Sequence, residues 1–270
     1  MSFDFIEYAR SKIESSGIVW EISGLIAKNN DVYTLGSDSK LIGRVFELLS
    51  APLIKEIAKE TGYKVEIPAA QNTYPDFTLL TSPEENNKIA IDIKTTYRRS
   101  KGKNGIEKGV GFTLGSYGSF IRNDTKNIHY NYSSYAKHYI LGFLYDRNDA
   151  AIEGQVVKAS ESANIIPPYL NVEYFIQEKY RIAGDKPGSG NTENIGSFKT
   201  NNVELIKKGL GPFSSLGEGV FNHYWVNYPK YRESGGYKNL KEYFEWLEQE
   251  GHEFASKKSV YLEWLKKVEL

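Results

Sequence analysis

The stretch IAIDIKTTY, Ile89 to Tyr97, constrains this chain more than any other. Ile89, Ile91 and Ile93 alternate with Ala90, Asp92 and Lys94, a two-residue period that predicts a β-strand over 88–97 with one apolar face. The other face carries an acid and a base two residues apart. A strand made only for packing has no use for that pair.

Neighbours for this strand are legible on both sides. Residues 63–67, 75–80 and 110–114 read as further strands, and 75–80 can pair with 88–97 as a hairpin around TSPEENNK. Pro75 pushes Tyr74 into an extended conformation and is tolerated where a strand begins. Residues 2–16 and 37–61 have helical spacing; in the second, Leu41, Ile42, Val45, Phe46, Leu49 and Leu53 line one face. Ser37 or Asp38 is its expected N-cap, Pro52 is expected to kink or divide it, and Gly62 to end it. Ile18 to Thr34 reads as a hairpin turning at Asn29-Asn30-Asp31. Residues 133–145 are expected to be helix or a mixed buried segment, and 171–183 a hairpin strand pair. From about 200 the pattern is helical and rich in aromatic residues. The expected fold class is α/β (α+β mixed), a central mixed β-sheet flanked by helices, in a single domain over 1–270.

The absence of cysteine in 270 residues excludes disulfides and thiolate metal sites and makes a reducing cytoplasm the natural compartment. The charged N-terminus lacks the apolar core of a signal peptide, and the longest apolar run, Tyr139 to Tyr145, is too short to span a bilayer. No membrane partner is expected. The net charge of +0 hides an asymmetry. Between Lys88 and Lys137 stand ten Lys or Arg against three acids. Such an excess can follow a phosphate backbone, or it can be a solvated lysine-rich face.

Asp76 lies on the less apolar face of its strand, so a 75–80/88–97 hairpin brings Asp76, Asp92 and Lys94 towards one point. Two carboxylates suit a hard divalent cation such as Mg²⁺, which takes oxygen ligands and accepts phosphate as a further one. Lys94 is then placed to orient the water that attacks phosphorus. The competing account is an Asp–Lys pair on a solvated sheet face. Glu47, with Gly43, Arg44 and Ser50 on the less apolar side of its helix, is either a third acid or the partner of Arg44.

These residues, with the blocks LGSDSK, FELLSAP, QNTYPDFTLL, KIAIDIKTTY, FTLGSYGSFIRNDTKNI and AGDKPGSGNTENIGS in that order, resemble the PD-(D/E)xK nucleases and, more closely, the EcoRV-type restriction endonucleases. The resemblance runs from about Val32 to Ser197. It implies a restriction-endonuclease-like fold and a Mg²⁺-dependent type II enzyme, with Mn²⁺ able to replace Mg²⁺. The implied substrate is a palindromic site in double-stranded DNA, GATATC, cut at its centre to blunt ends with 5′-phosphates.

Carried over residue by residue, the resemblance makes Asp76 and Asp92 metal-binding acids, Lys94 the catalytic lysine, the Ile93 carbonyl a further metal ligand and Glu47 an accessory acid. Gly188, Ser189, Gly190, Asn191 and Thr192 become the major-groove reader, and Gln71 and Asn72 the minor-groove loop. Lys40, Thr96, Ser119, Asn123 and Lys126 become backbone contacts. A homodimer joined through 18–34 and 150–165 and a companion methyltransferase are implied by the family alone. This chain departs from the family in a longer basic loop, Arg98–Gly109, in Ala70 where the family has glutamine, and in a diverged, extended helical part beyond about 200. The basic loop is expected to contact phosphates flanking the site.

Three alternatives use the same residues. A structure-selective repair or recombination nuclease of this fold has no need of the GSGNT block. A catalytically inactive DNA-binding module has no need to keep Asp76, Asp92 and Lys94 together. A paired-carboxylate glycosidase needs no lysine beside its acids.

Overall fold

The computed structural model describes residues 4–98, 109–124, 126–188, 193–230, 233 and 235–268. Its largest sheet has five strands in the order β3-β4-β5-β7-β9: β3 Lys64–Glu66, β4 Phe77–Leu80, β5 Lys88–Tyr97, β7 Tyr135–Arg147 and β9 Tyr169–Glu178. The sheet is mixed and flanked by helices, as the sequence predicts. β3 and β4, and β4 and β5, are antiparallel neighbours. A second sheet of three strands joins β1 Gly24–Ile26, β2 Asp31–Thr34 and β8 Val156–Lys158, and a third joins β10 Ala183–Pro187, β11 Asn194–Ser197 and β6 Thr113–Ser116. No helix among the described residues is long and apolar enough to cross a membrane.

The chain forms two compact units. One is built from the described parts of 1–62, 93–108 and 141–176. In it, α1 Phe5–Ser15 contacts α2 Ser39–Glu60, and Asp38 caps α2 by accepting from the Lys40 and Leu41 amides. Pro52 lies within α2 without dividing it; Leu53, Ile54, Ile57 and Ala58, all buried beyond it, offset the lost hydrogen bond. The unit's core is aromatic. Phe46 stacks on Phe143 with ring centroids 4.4 Å apart, and Trp20, Tyr145 and Tyr169 close around it. Gly142 has no side chain because a Cβ there would lie 2.2 Å from the Phe175 ring.

The other unit holds 63–92, 109–140 and the chain from 177 on. Its C-terminal part is helical, as expected: α4 Val203–Lys207, α5 Glu218–Asn227, α6 Leu240–Gln249 and α7 Lys258–Val268. Tyr224, Trp225, Tyr237 and Tyr243 are buried among one another there.

Two segments differ from the sequence prediction. Residues 133–145 are neither helix nor mixed: β7 is a long strand between β5 and β9, buried from Tyr139 to Tyr145. An inner strand covered on both faces needs no alternation, so its run YILGFLY carries no two-residue period. Residues 171–183 are not a hairpin pair. β9 ends at Glu178, a single helical turn (α3, Lys179–Ile182) reverses the chain, and β10 follows. Without Gly, Asn or Asp in that turn, the reversal leaves no local signal.

Removing the centre of the first unit's aromatic cluster tests this packing. Phe46→Ala is expected to cost about 3–5 kcal/mol of unfolding free energy, read from the denaturant midpoint.

Candidate active site

β4 and β5 pair Phe77 with Ile91, Thr78 with Ala90 and Leu79 with Ile89. One step beyond that register stand Asp76, in the bend just before β4, and Asp92 on β5. Opposed residues on an antiparallel pair put their Cβ atoms about 4.5–5.5 Å apart on the same face of the sheet. Carried one step past Phe77, the same register would oppose the two carboxylates. Phe77, Leu79, Ile89 and Ile91 are all buried, and a slip of one residue would exchange them with Thr78, Ala90 and Asp92 on the other face, which specifies the register.

The environment of Asp92 decides against the solvated sheet face of the competing account: Asp92 is 3% exposed and β5 is buried from Ile89 to Ile93. The strand sits inside the sheet, so both of its faces are covered. Asp76 is half-buried, and the buried stretch ends at Ile93. Lys94 follows on the same face as Asp92, half-buried, with Thr96 two residues beyond it. The solvated-pair alternative is excluded for Asp92.

The donor set fits a hard cation. A buried carboxylate opposite a half-buried one is a costly arrangement of like charges, and oxygen donors with room for water are what Mg²⁺ uses. No cluster of three or more His, Cys, Asp or Glu suited to a metal occurs among the described residues. A ligand set completed by a backbone carbonyl and waters needs no such cluster.

Behind Asp76 lies a group of side chains for which the sequence gave no warning. Tyr74 is 4% exposed and fixed at both backbone groups: its amide donates to the Asn127 carbonyl and its carbonyl accepts from the His129 amide, each at 2.8 Å. Its ring stacks on Phe120 at 4.6 Å, and its hydroxyl meets His138 Nδ1 at 2.7 Å. His138 stacks in turn on Tyr132 at 4.1 Å. The ammonium of Lys179, a residue 1% exposed, lies 4.3 Å from the Tyr74 ring centroid. Burial, followed by the charges of Tyr132 and Asp92, raises the Tyr74 hydroxyl well above its ordinary pKa. Burial and then the Lys179 charge hold His138 well below 6.5, so it stays neutral. Nearby, Glu218 is raised by burial, while Lys137 is raised by its 2.5 Å bond to Glu178.

The remaining sequence-predicted residues are dispersed. Glu47 is ion-paired with Arg44 at 2.5 Å. It lies one helical turn beyond Gly43, whose added Cβ would stand 3.5 Å from Thr95 Oγ1 on β5. Gln71 and Asn72 are exposed in a turn that the Thr73 amide closes onto Ala70. Lys40 is exposed in the first turn of α2. Ser119 is half-buried in the helical turn Tyr117–Arg122, its amide held by Ser116 Oγ. Asn123 is exposed and donates to the Gly118 carbonyl; Lys126 is exposed. Gly188 sits at the foot of the β10–β11 loop and donates its amide to Asn194. A Cβ on Gly188 would meet the Gly196 backbone at 3.0 Å, so glycine is required for that approach. Ser189, Gly190, Asn191 and Thr192 lie outside the described residues, as does most of the basic loop.

The basic excess shrinks on inspection. Lys88 is 1% exposed over the Tyr130 ring. Arg98 binds Asp146, Glu173 and the Asn171 carbonyl. Arg122 reaches Glu193 and the carbonyls of Val226 and Tyr228, and Lys137 holds Glu178. Expected to meet phosphate, Arg98 is instead occupied within the protein.

The family model for restriction endonuclease EcoRV matches residues 16–248. A curated relative, the type II restriction enzyme EcoRV of Escherichia coli, is 43% identical over 231 residues, covering 84% of this chain and 91% of its own length. The chain belongs to the EcoRV restriction endonuclease family. It is a type II site-specific deoxyribonuclease whose substrate is DNA. The match reaches past the blocks that carried the resemblance, well into the C-terminal helices of this family member.

The neutral, buried His138 yields a pH test. Unfolded histidine takes up a proton near pH 6.5 and folded His138 resists it, so its effect on stability is absent above that pH. As pH falls through about 6.5, stability is lost at up to about 1.4 kcal/mol per unit, until the lower folded pKa is reached. His138→Gln should flatten the decline between pH 6.5 and 5 in urea unfolding; an equally steep decline would count against a buried neutral imidazole.

Proposed function

We propose that this endonuclease recognises GATATC in duplex DNA and hydrolyses both strands at the centre, with Mg²⁺ as cofactor and Mn²⁺ as a substitute. The observation that carries this is the strand pair that brings Asp76 and Asp92 to the same end, with Lys94 next on the same strand face. Asp76, Asp92 and the Ile93 carbonyl would hold the cation. Once bound, it supplies positive charge that polarises the scissile phosphate and makes water a better nucleophile.

The chain's own residues do the rest. The Lys94 ammonium orients the attacking water and places a second positive charge beside the phosphate. Water oxygen bonds to phosphorus as the bond from phosphorus to the 3′ oxygen breaks. The 3′ oxygen leaves with a proton, giving a 3′-hydroxyl and a 5′-phosphate. Glu47 serves as an accessory acid, for which it must first exchange Arg44.

Base reading is assigned to the loop Gly188–Thr192 in the major groove and to Gln71 and Asn72 in the minor groove. Lys40, Thr96, Ser119, Asn123 and Lys126 position the DNA backbone. The remaining basic residues of 99–108 add phosphate contacts without reading sequence.

A palindromic site calls for a symmetric dimer. Supporting that assembly, Leu25 and Ile26 on β1, Tyr33 on β2 and Val156 on β8 are large apolar side chains left exposed on one small sheet, and Val19 and Ile152 near it in sequence are exposed as well. An apolar patch of this kind favours a second copy over water. A companion methyltransferase and a cytoplasmic setting complete the proposal.

Digesting a sequenced plasmid with Mg²⁺ and mapping the ends tests the function. Blunt ends at the centre of every GATATC are expected; cleavage that follows branched structure would favour the repair nuclease instead. Asp92→Asn and Asp76→Asn should each abolish cleavage while leaving the melting temperature close to wild type. Lys94→Ala should impair single-turnover cleavage more than binding. Asn191→Ala should lose about 1–3 kcal/mol of discrimination, read as slower cutting of the cognate site with unchanged nonspecific binding.

A further inference from the structure

Lys179 is 1% exposed, a rare state for lysine, and it sits in the turn that joins β9 to β10. Its ammonium faces three aromatic rings: Tyr74 at 4.3 Å, Phe120 at 5.3 Å and Tyr132 at 5.7 Å from the centroids. Residue 115 beside the cage is a glycine at φ +95°, and a Cβ there would stand 2.8 Å from the Phe120 ring, so the absent side chain leaves Phe120 its place among these rings. Ammonium over an aromatic face is an electrostatic contact whose strength grows as water is removed. This one is dry.

The ring most closely engaged belongs to Tyr74, two residues before Asp76. Phe120 stacks on the same ring, and His138 takes its hydroxyl. Tyr74 therefore cannot turn without breaking the cation contact, the stack and the hydrogen bond together. Between Tyr74 and Asp76 stands only Pro75, whose ring fixes its own φ, so the chain from the caged tyrosine to the acid is short and stiff.

We propose that Lys179 is a positioning residue for the acid pair: by holding the Tyr74 ring among Phe120, Tyr132 and His138, it sets the direction in which Asp76 meets Asp92 and hence the affinity for a divalent cation. The proposal rests on the acid pair being the metal site. Groups that orient metal ligands from behind change metal affinity by about tenfold to a hundredfold when removed. A lysine that merely filled space would be replaceable by methionine, which matches its stem and lacks its charge.

The test is a titration of Mn²⁺ into the free protein, with unbound Mn²⁺ measured by electron paramagnetic resonance. Wild type, Lys179→Met, Lys179→Arg and Asp92→Asn are compared, with thermal melts and DNA binding in EDTA measured beside them. Lys179→Met is expected to weaken Mn²⁺ binding by about tenfold while DNA affinity stays within about twofold, and Lys179→Arg to recover most of the loss. Wild-type Mn²⁺ affinity in folded Lys179→Met overturns the proposal. If Lys179→Met melts below the assay temperature, Phe120→Leu opens the cage and keeps the charge; it must weaken Mn²⁺ in the same way, and unchanged affinity again overturns the proposal. Asp92→Asn separates the two levels. Loss of Mn²⁺ binding in that variant upholds the metal site whatever Lys179 does, whereas unchanged binding removes the site and the positioning role with it.

Discussion

One antiparallel register, Phe77 against Ile91, brings Asp76 and Asp92 to the same end of a strand pair, and the metal site proposed for this endonuclease depends on it. Like charges directly opposite one another on a strand pair disfavour pairing by up to about 1 kcal/mol, and by more where water is absent. What opposes this is apolar. Phe77, Leu79, Ile89 and Ile91 are each buried, and burying such a side chain contributes about 1.5–3 kcal/mol. Four of them outweigh one unfavourable pair several times over. The isoleucine face of β5 thus explains how its other face can carry an acid at all: packing fixes the strands, and the strands hold Asp92 where a free chain would not keep it.

The same economy governs the positive charges. The stretch from 88 to 137 is basic on paper, yet Lys88, Arg98, Arg122 and Lys137 are each engaged with an aromatic ring, a carboxylate or a carbonyl inside their own unit. Surface ion pairs of this kind contribute little to stability, at most about 1 kcal/mol each. They matter more for what they remove, since a guanidinium already bound to Asp146 and Glu173 is a poor ligand for phosphate. The exposed cations Lys40 and Lys126 remain on the described surface as candidates for DNA.

Legibility in the sequence followed the physics of each element. β5 was found to the residue because alternation, a polar pair and a clear end coincide there. Helix α2 was found because its apolar spacing is regular and Asp38 can cap it. The pairing of β4 with β5 was found because a hairpin between neighbouring strands is a local event. β7 was missed because an inner strand buried on both sides loses its period, and the turn at Lys179 was missed because it contains no turn-forming residue. The burial of Asp92 depends on the strand's place within the sheet, which no window of sequence reports. The cage around Tyr74 draws on positions 115, 120, 132, 138 and 179, and each taken alone is an ordinary core residue.

That cage bears on how a base contact reaches the scissile bond. The turn Gln71–Asn72 and the acid Asp76 are separated by Thr73, Tyr74 and Pro75. Tyr74 is pinned by its ring and by both backbone groups, and the backbone partners are Asn127 and His129. Those partners lie directly after Asn123 and Lys126, the residues assigned to the DNA backbone. A push on the minor-groove turn therefore has two outlets. Thr73 can absorb it locally, or the Tyr74 anchor can move and carry the segment 127–129 with it. The second outlet breaks contacts on three sides at once, and a packed site of this kind changes between discrete arrangements rather than by continuous bending. Asp76 is thus shielded from small displacements of the turn. On the contacts proposed for DNA, only a complex that engages the turn together with Asn123 and Lys126 would push on the anchor from both sides, so the acid pair would respond to a fully seated DNA and not to a partly seated one.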